Sequence, residues 1–425
     1  MNKTSATPFS IPEELLGLPD IEIISSELIN NDHILIRVKS TADKIVCRKC
    51  GRNCESHGLG QKIKIRHLSI LGYITYIELR QKRGICKKCD DKTSIQNLEW
   101  HRPGSTYTKA YEEHILLSMI NGTATDVSIC EGISDTMVQN IIDNNIGGAV
   151  NWKRIKRIGL LGIDEIAIKK GHKDYLTIIT SRIGNKNRII AVLKGKEKAT
   201  IVEFFRSIPK KKHKTIDAIC CDMYEGYVNA AKDVFCKDAP IIIDRFHVAK
   251  LYRESLIAVR KIELRKLRRD LSSAQYSELK HAISILVNKN ELYSKKDKEH
   301  LELLFKHSPT LKLAYKLARK LTGIYNKKHR KKTANKKIHN WVAKVKKSNL
   351  TCFNKFIKTL TKHQEYITNY FIDRNTSGFV EGINNKIKVI KRRCYGLTNV
   401  KNFFQRIFLD LEGYGIYLKN QTVTA

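Results

Sequence analysis

The sequence predicts a mixed α/β protein of several domains, in which a sheet-containing core is interrupted by a long helical region. Three observations support this prediction. After Trp152, apolar runs with strand character alternate with amphipathic helices. From Lys250 to about Phe371, the pattern is almost entirely that of basic amphipathic helices. Near the start of the chain, two C-x-x-C pairs flank two strand-like runs. A chain of 425 residues has room for roughly two to four domains.

The composition predicts a nucleic-acid partner. The chain carries 79 Lys+Arg against 42 Asp+Glu, a formal net charge of +37, and such a charge favours a polyanionic partner. A lysine-rich genome is the alternative explanation, but residues 306–347 contain fifteen Lys or Arg and no Asp or Glu. No apolar run reaches the length of about 18 residues that a membrane span needs. The N-terminus also lacks a signal-peptide pattern, so we expect an intracellular, cytoplasmic protein without a membrane partner.

The N-terminal cysteines predict a structural zinc site. The chain has eleven cysteines, and an odd number argues against a disulfide framework. Cys47 and Cys50 form one C-x-x-C pair, and Cys86 and Cys89 form another. Two such pairs complete a four-sulfur shell that favours Zn²⁺ and leaves no open position for catalysis. The runs "QKIKIRHLS" and "YITYIELRQ" between them predict a hairpin, so residues 1–100 are expected to form a zinc-ribbon domain. Ordinary reduced cysteines are the alternative, and Cys54 is a spare thiol nearby.

Residues 101–150 predict a helix-turn-helix domain, centred on "TATDVSICEGISDTMVQNII". Val127 should face inward on the first helix. Gly132 should supply a positive φ at the turn, and Ser134 should cap the second helix. The second helix would then bury one apolar face, formed by Val138, Ile141 and Ile142.

The second helix of such a motif enters the major groove of DNA. Thr136 and Gln139 are therefore the candidate DNA-reading residues. Asp135 is a third candidate at the exposed start of that helix, although a carboxylate is an unusual neighbour for phosphate. A plain pair of antiparallel helices, without a DNA-binding role, is the alternative.

The region from Trp152 predicts a core of the ribonuclease H-like fold. "IGLLGIDEIAI", "YLTIITS" and "NRIIAVLKG" predict three meandering strands. They are followed by the helix "KATIVEFFRSIP", the strand "IDAICCDM", the helix "YEGYVNAAKDVF" and the strand "APIIIDRFHV". In that fold the first strand is central and the fourth lies beside it, so Asp164 and Asp222 should be neighbours.

Asp164 interrupts an apolar strand. Burying an unpaired carboxylate there costs on the order of several kcal/mol of folding free energy. A divalent cation would compensate the charge. Carboxylates converge in this way in two-metal phosphoryl-transfer sites, and Mg²⁺ prefers such oxygen ligands. An ion pair with a nearby lysine, such as Lys169, is the alternative. Glu165 should point to the opposite face of the sheet, and we assign it no metal.

A third acid is expected on a helix packed against the sheet. The candidate is Glu381 in "NTSGFVEGINNKIKVIKRRCYG", although an ordinary exposed glutamate is the alternative. The same helix carries candidate DNA-binding cations: Lys386, Lys388, Lys391, Arg392 and Arg393.

The chain resembles the ISL-three group of bacterial insertion-sequence transposases over nearly its whole length. The resemblance rests on the four cysteines, the helix-turn-helix, "GIDEIAIKKGH", "CDMYEGYVNAAKDVF", "DRFHVAKL" and "SGFVEGINNKIKVIKRRCYGLTN". It implies a DDE catalytic triad of Asp164, Asp222 and Glu381. It also implies supporting roles for Asp244 and His247, for which a purely structural hydrogen-bonded pair is the alternative. One departure is Phe246, where family members often have tryptophan.

The resemblance further implies that a large all-helical insertion interrupts the core, because 159 residues separate Asp222 from Glu381. The expected domains are the core at 151–250, the insertion at 251–371 and the C-terminal helical part of the core at 372–425. Trp341 lies in the insertion, where it either stacks on an unpaired base or belongs to the helix core.

The implied function is that of a DNA transposase associated with the bacterial nucleoid. It would bind the terminal inverted repeats, cleave a strand with two Mg²⁺ (or Mn²⁺) ions, and transfer the 3′-hydroxyl to target DNA. Joining two ends predicts a homodimer or a larger complex. A metal-dependent nuclease of the same fold and a catalytically silent DNA-binding regulator are the alternatives.

Overall fold

The computed structural model describes residues 6–30, 32–89, 92–167, 174–235, 237–286, 293–395 and 399–418. The chain divides into two compact units. One unit comprises residues 1–146 and 412–425, and the other comprises residues 147–411. Among the described residues, no helix combines the length and the apolar character that crossing a membrane requires.

The first unit contains a seven-stranded sheet, with a short 3-10 helix at Glu13–Leu16. Its strands are β1 (Ala6–Phe9), β2 (Ile21–Ile29), β3 (His33–Ser40), β4 (Ile45–Val46), β5 (Asn53–Ile70), β6 (Tyr73–Cys86) and β7 (Lys92–Ile95). They lie in the order β1-β2-β3-β6-β5-β4, and β7 pairs with β6. The predicted hairpin is β5–β6, which pairs antiparallel. The sheet is wider than the sequence analysis predicted, because β3 adds parallel to β6 and carries β2 and β1 beyond it. Ile36, Ile65 and Ile77 form the centre of its apolar core.

Three helices follow the sheet: α1 (Lys109–Ser118), α2 (Ala124–Glu131) and α3 (Asp135–Asn145). The predicted turn is confirmed, because Gly132 has φ 62° at the end of α2 and the Ser134 side chain accepts a hydrogen bond from the backbone of Met137. The apolar face of α3 is also confirmed, since its three predicted core residues are at most 1% exposed: Val138, Ile141 and Ile142.

The second unit is built on a five-stranded sheet. Its strands are β8 (Gly159–Ala167), β9 (Tyr175–Ile183), β10 (Lys186–Lys194), β11 (Ile216–Cys221) and β12 (Ile241–Ile243). The order is β10-β9-β8-β11-β12. The first three strands form an antiparallel meander, whereas β11 runs parallel to both β8 and β12. The predicted chain order is confirmed, and β8 is the central strand.

The helices of the second unit form three groups along the chain. The first group comprises α4 (Lys198–Ser207), α5 (Lys210–His213) and α6 (Glu225–Phe235). The second group, with a 3-10 turn at Thr351–Phe353, comprises α7 (Arg245–Asp270), α8 (Ser273–Glu278), α9 (Lys280–Ile285), α10 (Lys295–His307), α11 (Pro309–Asn326), α12 (Lys331–Lys347), α13 (Asn354–Lys362), α14 (Gln364–Thr368) and α15 (Tyr370–Asp373). The third group comprises α16 (Gly378–Arg393) and the part of α17 (Val400–Tyr417) that extends to residue 411. The boundary predicted at residue 250 falls inside α7, which begins directly after β12.

The five-stranded sheet is covered on both faces. Leu161 and Ile163 of β8 pack into the core that contains Phe205 of α4 and the residues of α6. Ile166 of the same strand packs into a second core with Val380 of α16. Alternate residues of β8 therefore face different helical layers, as expected for a strand buried on both sides.

Trp341 belongs to the helix core. Its side chain is fully buried, and its ring N–H donates a hydrogen bond of 2.8 Å to the carbonyl of Leu317. The indole ring also packs edge-on against Phe353 and Phe356. The interpretation of Trp341 as a helix-core residue is therefore confirmed, its burial excludes base stacking, and its hydrogen bond ties α12 to α11.

Candidate active site and metal centre

The four predicted cysteines lie together in the first unit. Cys47 and Cys50 follow β4, and Cys86 and Cys89 occupy the end of β6 and the turn after it. All four sulfur atoms lie within 4.8 Å of one another. Cys47, Cys86 and Cys89 are buried, whereas Cys50 is exposed. Cys54 packs against the group but is not one of the four. This arrangement can hold a single tetrahedral ion.

Backbone N–H groups tune one of these thiols. Hydrogen bonds from the backbone of Cys50, and then of Lys49, lower the pKa of Cys47 to about 6. The opposite shift occurs at Cys89, where the sulfur of Cys50 is the largest cause and raises the pKa to about 12. Four crowded sulfurs therefore cannot all be thiolates unless a cation shares their charge.

Asp164 and Asp222 lie at adjacent positions of the five-stranded sheet. Gly162 of β8 pairs with Cys220 of β11 in parallel register, and each aspartate lies two residues further along its strand direction. Asp164 lies inside β8, and Asp222 comes directly after the end of β11. The strand pairing therefore brings the two carboxylates together, as the sequence predicted.

Burial raises the pKa of both aspartates. At Asp164, the negative charge of Asp222 adds to the effect, whereas a hydrogen bond from the backbone of Glu165 opposes it. At Asp222, the backbone N–H of Tyr224 opposes the effect of burial through a 2.8 Å hydrogen bond. His247 lies close enough to lower the pKa of both carboxyl groups. The pair consequently favours a bound cation or a proton.

Helix α16 reaches this pair through an asparagine. Asn384 is 4% exposed, and its amide nitrogen donates a hydrogen bond of 2.7 Å to one carboxylate oxygen of Asp164. The other oxygen accepts from the backbone N–H of Glu165 at 2.8 Å. The side-chain carbonyl oxygen of Asn384 is buried without a hydrogen-bond partner. A buried acceptor of this kind costs free energy unless a donor or a cation reaches it.

Glu381 lies on α16, three residues before Asn384. It is exposed, and three residues of helix bring two side chains to neighbouring positions on one face. The structure does not gather the three predicted carboxylates as closely as the cysteines. In the described residues, the four cysteines are the one group of three or more potential ligands within 4.8 Å. The helix therefore reaches the site through Asn384, with Glu381 about one turn away.

The predicted supporting residues connect β12 to this site. Asp244 is buried and precedes α7. Its carboxylate accepts a hydrogen bond of 2.7 Å from the hydroxyl of Ser377, the residue at the start of α16. His247 lies on the first turn of α7 and acts on both aspartates electrostatically. Asp244 therefore anchors the start of the helix that carries Glu381, and His247 lies near both acids.

Glu165 faces the opposite side of β8 from Asp164. Its carboxylate accepts from the ammonium of Lys196 at 3.1 Å. That ammonium also lies over the rings of Tyr175 and Tyr224, at 4.1 and 5.1 Å from their centroids. Glu165 therefore has a lysine partner of its own. Lys169, the alternative partner of Asp164, lies outside the described residues.

The predicted DNA-binding cations of α16 divide into two sets. Lys391 donates to the carbonyl of Ala167 at 2.7 Å, and Arg393 forms an ion pair with the buried carboxylate of Asp410. Lys386 donates to the Asp410 carbonyl. Lys386, Lys388 and Arg392 are exposed; because Lys386 already donates to Asp410, Lys388 and Arg392 are the two best placed to meet a ligand.

The candidate DNA-contacting residues of the helix-turn-helix differ in their exposure and in their hydrogen-bond partners. Thr136 is exposed. Gln139 donates to Asp143, one turn further along α3, at 3.0 Å. Asp135 accepts a hydrogen bond of 2.9 Å from Thr125, which ties the start of α3 to α2. Asp135 thus has a structural partner, and Thr136 is the freer of the candidates to approach a base.

Comparison with known families decides the classification. The model of transposase family ISL3 matches residues 161–407, more than half of the chain. The chain belongs to the ISL3 transposase family. A model of the helix-turn-helix domain of the same family matches residues 96–144, which contain α1, α2 and most of α3. The family resemblance inferred from the sequence motifs is therefore confirmed. The helix-turn-helix domain of this ISL3-family chain implies DNA binding.

Curated relatives of this ISL3-family chain are transposases as well. The transposase for insertion sequence element IS1001 of Bordetella parapertussis is 25% identical over 373 residues, which cover 88% of this chain and 90% of that protein. The transposase for insertion sequence element IS1557 of Mycobacterium tuberculosis (strain H37Rv) is 21% identical over 431 residues, which cover 93% of each. The similarity extends over almost the full length of both relatives.

Sequence reasoning missed three side chains at the site: Asn384, Ser377 and Lys196. A signal was available for Asn384, because it lies three residues after Glu381 in "VEGINNK" and asparagine is a poor residue for a helix interior. Ser377 and Lys196 offered no comparable signal, since serine and lysine are frequent in this chain.

Proposed function

We propose that this chain is a DNA transposase that cleaves the ends of an insertion sequence and transfers them to target DNA. The five-stranded sheet would be a ribonuclease H-like catalytic core, with α7–α15 as its helical insertion. The observation that carries the proposal is the parallel pairing of β8 with β11. It brings Asp164 and Asp222 together, and Asn384 of α16 binds Asp164 at the same place.

Asp164, Asp222 and Glu381 form the proposed catalytic triad. The donors present fit a hard divalent cation, because two buried carboxyl groups have raised pKa values and a buried amide oxygen beside them lacks a partner. Mg²⁺ or Mn²⁺ held there would supply charge stabilisation for the attacking and leaving oxygens of an in-line displacement. Glu381 is exposed and lies about one turn before Asn384 on α16, the helix whose Asn384 binds Asp164.

The chain's own residues would organise this site in three ways. Asn384 holds one oxygen of Asp164 and so fixes the direction of the other. Asp244 anchors the start of α16 through Ser377. His247 and Lys196 partly neutralise the acids before a cation arrives. A carboxylate that is oriented in advance loses less entropy when it binds a cation.

The four-cysteine group is proposed to hold a structural Zn²⁺. Tetrahedral coordination with Zn–S bonds of about 2.3 Å places sulfurs roughly 3.8 Å apart. The sulfurs of Cys50 and Cys86 are 3.6 Å apart, and all four lie within 4.8 Å. The ion would stabilise the zinc ribbon, and the ribbon and helix-turn-helix would together recognise the terminal inverted repeats. Thr136, Lys388 and Arg392 are the exposed candidates for DNA contact.

A metal-dependent nuclease and a silent DNA-binding regulator are distinguished by one assay. A DNA substrate with the element's own flanking ends is incubated with Mg²⁺ and either wild-type protein or Asp222→Asn. We expect nicks with 3′-hydroxyls and joined products with the wild type alone, and end binding with both. Cleavage without joining would establish the nuclease. Binding without cleavage by the wild type would establish the regulator, and normal cleavage by Asp222→Asn would refute the triad.

A further inference from the structure

The helical region of the second unit contains a cationic cleft between α11 and α12. Its volume is about 720 Å³. In the described chain, its lining includes no Asp or Glu. The six basic residues that line it are Lys320, Lys327, His329, Lys337, Lys344 and Lys347.

Positive charges in the cleft approach one another closely. The side chain of Lys344 lies close enough to Lys320 to lower the pKa of Lys320. Two ammonium groups in contact repel each other, and the repulsion is relieved when an anion lies between them. Both side chains are exposed, so they could move apart in solvent, yet the backbones of the two helices keep them at the same cleft.

A buried polar atom also points to a ligand in this cleft. Nε2 of His329 is buried and has no hydrogen-bond partner. Burial, followed by the charges of Lys337 and Lys327, lowers the pKa of this histidine. Because its ring is held among cations, an acceptor such as a phosphate oxygen is the ligand that would satisfy it.

The cleft is preformed. Trp341 of α12 is fully buried, and its ring N–H donates a hydrogen bond to the carbonyl of Leu317 on α11. The two helices are therefore fixed against each other before any ligand binds. The lining also contains the small residues Gly323 and Ala343, and among the described residues it includes no Phe, Tyr or Trp on which a base could stack.

We propose that this cleft binds the phosphodiester backbone of duplex DNA without reading its sequence. A lining of five lysines and one histidine, with no Phe, Tyr, Trp, Asp or Glu among its described residues, favours phosphate over bases. A neighbouring hollow of about 750 Å³ shares His329 and adds four cations against one acid, Asp373, so its net positive charge extends the cationic surface beyond the cleft. The choice of DNA as the partner rests on the function proposed above, but the proposal does not depend on the catalytic triad.

The test compares two triple variants with equal loss of charge. The cleft variant carries Lys320→Gln, Lys344→Gln and Lys347→Gln. The control variant carries Lys261→Gln, Arg265→Gln and Arg268→Gln, three exposed residues of α7 that do not line the cleft. Binding to a short labelled duplex is measured by fluorescence anisotropy over a series of KCl concentrations. One duplex carries the element's end and another a scrambled sequence.

We expect the cleft variant to flatten the slope of log K against log[salt] by about 2 to 3, since each lost phosphate contact removes roughly 0.9. The change should be equal for both duplexes, and the control variant should change the slope by less than about 1. Equal slopes for the two triple variants would overturn the cleft, because net charge alone would then explain binding. A change confined to the element's end would overturn backbone recognition.

The same preparations separate this proposal from the proposed function. If the wild type cleaves and joins DNA but the cleft variant has the wild-type salt slope, the proposal for the cleft is refuted and the proposed transposase function stands. If the wild type does not cleave DNA but the cleft variant shows the expected change in salt slope, the enzymatic function is refuted and the proposal for the cleft is supported. Thermal unfolding of each variant checks the fold, and we expect no loss for the cleft variant because it removes a repulsive pair.

Discussion

Replacing Gly162 by alanine would disturb the contact that joins α16 to the central strand. Gly162 lies in β8, two residues before Asp164, on the strand face that α16 covers. A methyl group added there would lie 2.3 Å from Cγ2 of Val380, 2.7 Å from the hydroxyl of Thr180 and 3.0 Å from Cζ of Phe379. Carbon atoms in proteins pack at about 3.5–4.0 Å, so the helix must move or the strand must bend.

Overpacking of this kind costs about 1–3 kcal/mol. For a domain of this size, each kcal/mol lowers the unfolding temperature by roughly 2–4 °C. We therefore expect Gly162→Ala to unfold about 2–12 °C below the wild type. The displacement should also lengthen the 2.7 Å hydrogen bond between Asn384 and Asp164 and move Glu381, so strand cleavage should fall more than stability alone explains.

The matched control is Gly382→Ala on the same helix. An added methyl group there meets nothing within 4 Å, and alanine favours a helix over glycine by about 1 kcal/mol. We expect this variant to unfold at or above the wild-type temperature and to cleave normally. Thermal unfolding by circular dichroism and cleavage of labelled end DNA measure both effects. Equal unfolding temperatures for wild type and Gly162→Ala would refute the close packing of α16 on β8.

Three further predictions concern the acids, the cysteines and a buried ion pair. Burial raises the pKa of Asp222 in the folded protein. The protonated carboxyl group therefore favours folding at low pH, and this stabilisation is lost as pH rises through the raised pKa. Without divalent cations, Asp222→Asn should be more stable than wild type at pH 7 and equally stable at pH 3. Mg²⁺ at about ten times its dissociation constant should stabilise wild type by roughly 1.4 kcal/mol and Asp222→Asn far less, and equal melting shifts in the two would contradict the metal site. One zinc per chain should be found by elemental analysis and should be lost in Cys89→Ser but retained in Cys130→Ser, an exposed cysteine outside the group; zinc retained by both variants would show that the four sulfurs do not bind it. Arg393→Ala removes the ion-pair partner of Asp410, whose side chain is 0% exposed. The free energy of unfolding, measured with a chemical denaturant, should fall by about 3–5 kcal/mol. A loss below about 1 kcal/mol would indicate that the ion pair contributes no more than a surface pair.

The sequence by itself determined the elements whose signals are local. The C-x-x-C spacing predicted which four of the eleven cysteines would meet, because two residues between thiols fix a knuckle wherever it lies. The turn glycine Gly132 and the cap Ser134 were predictable for the same reason. The order of strands and helices from Trp152 predicted that β8 is central and that β11 lies beside it, since few sheet topologies fit such an order.

Only the tertiary structure decided which side chains meet across the fold. The hydrogen bond from Asn384 to Asp164 joins residues 220 positions apart, and it depends on how closely α16 approaches Gly162. Trp341 has the pattern of either a core residue or a base-stacking one, and the packing of α12 on α11 buried it. The lysines of residues 306–347 all look alike in the sequence, yet the crossing of two helices gathers five basic side chains and His329 around one cleft. Local spacing fixes helices, strands and knuckles, whereas contacts between distant elements depend on the shapes of the packed surfaces.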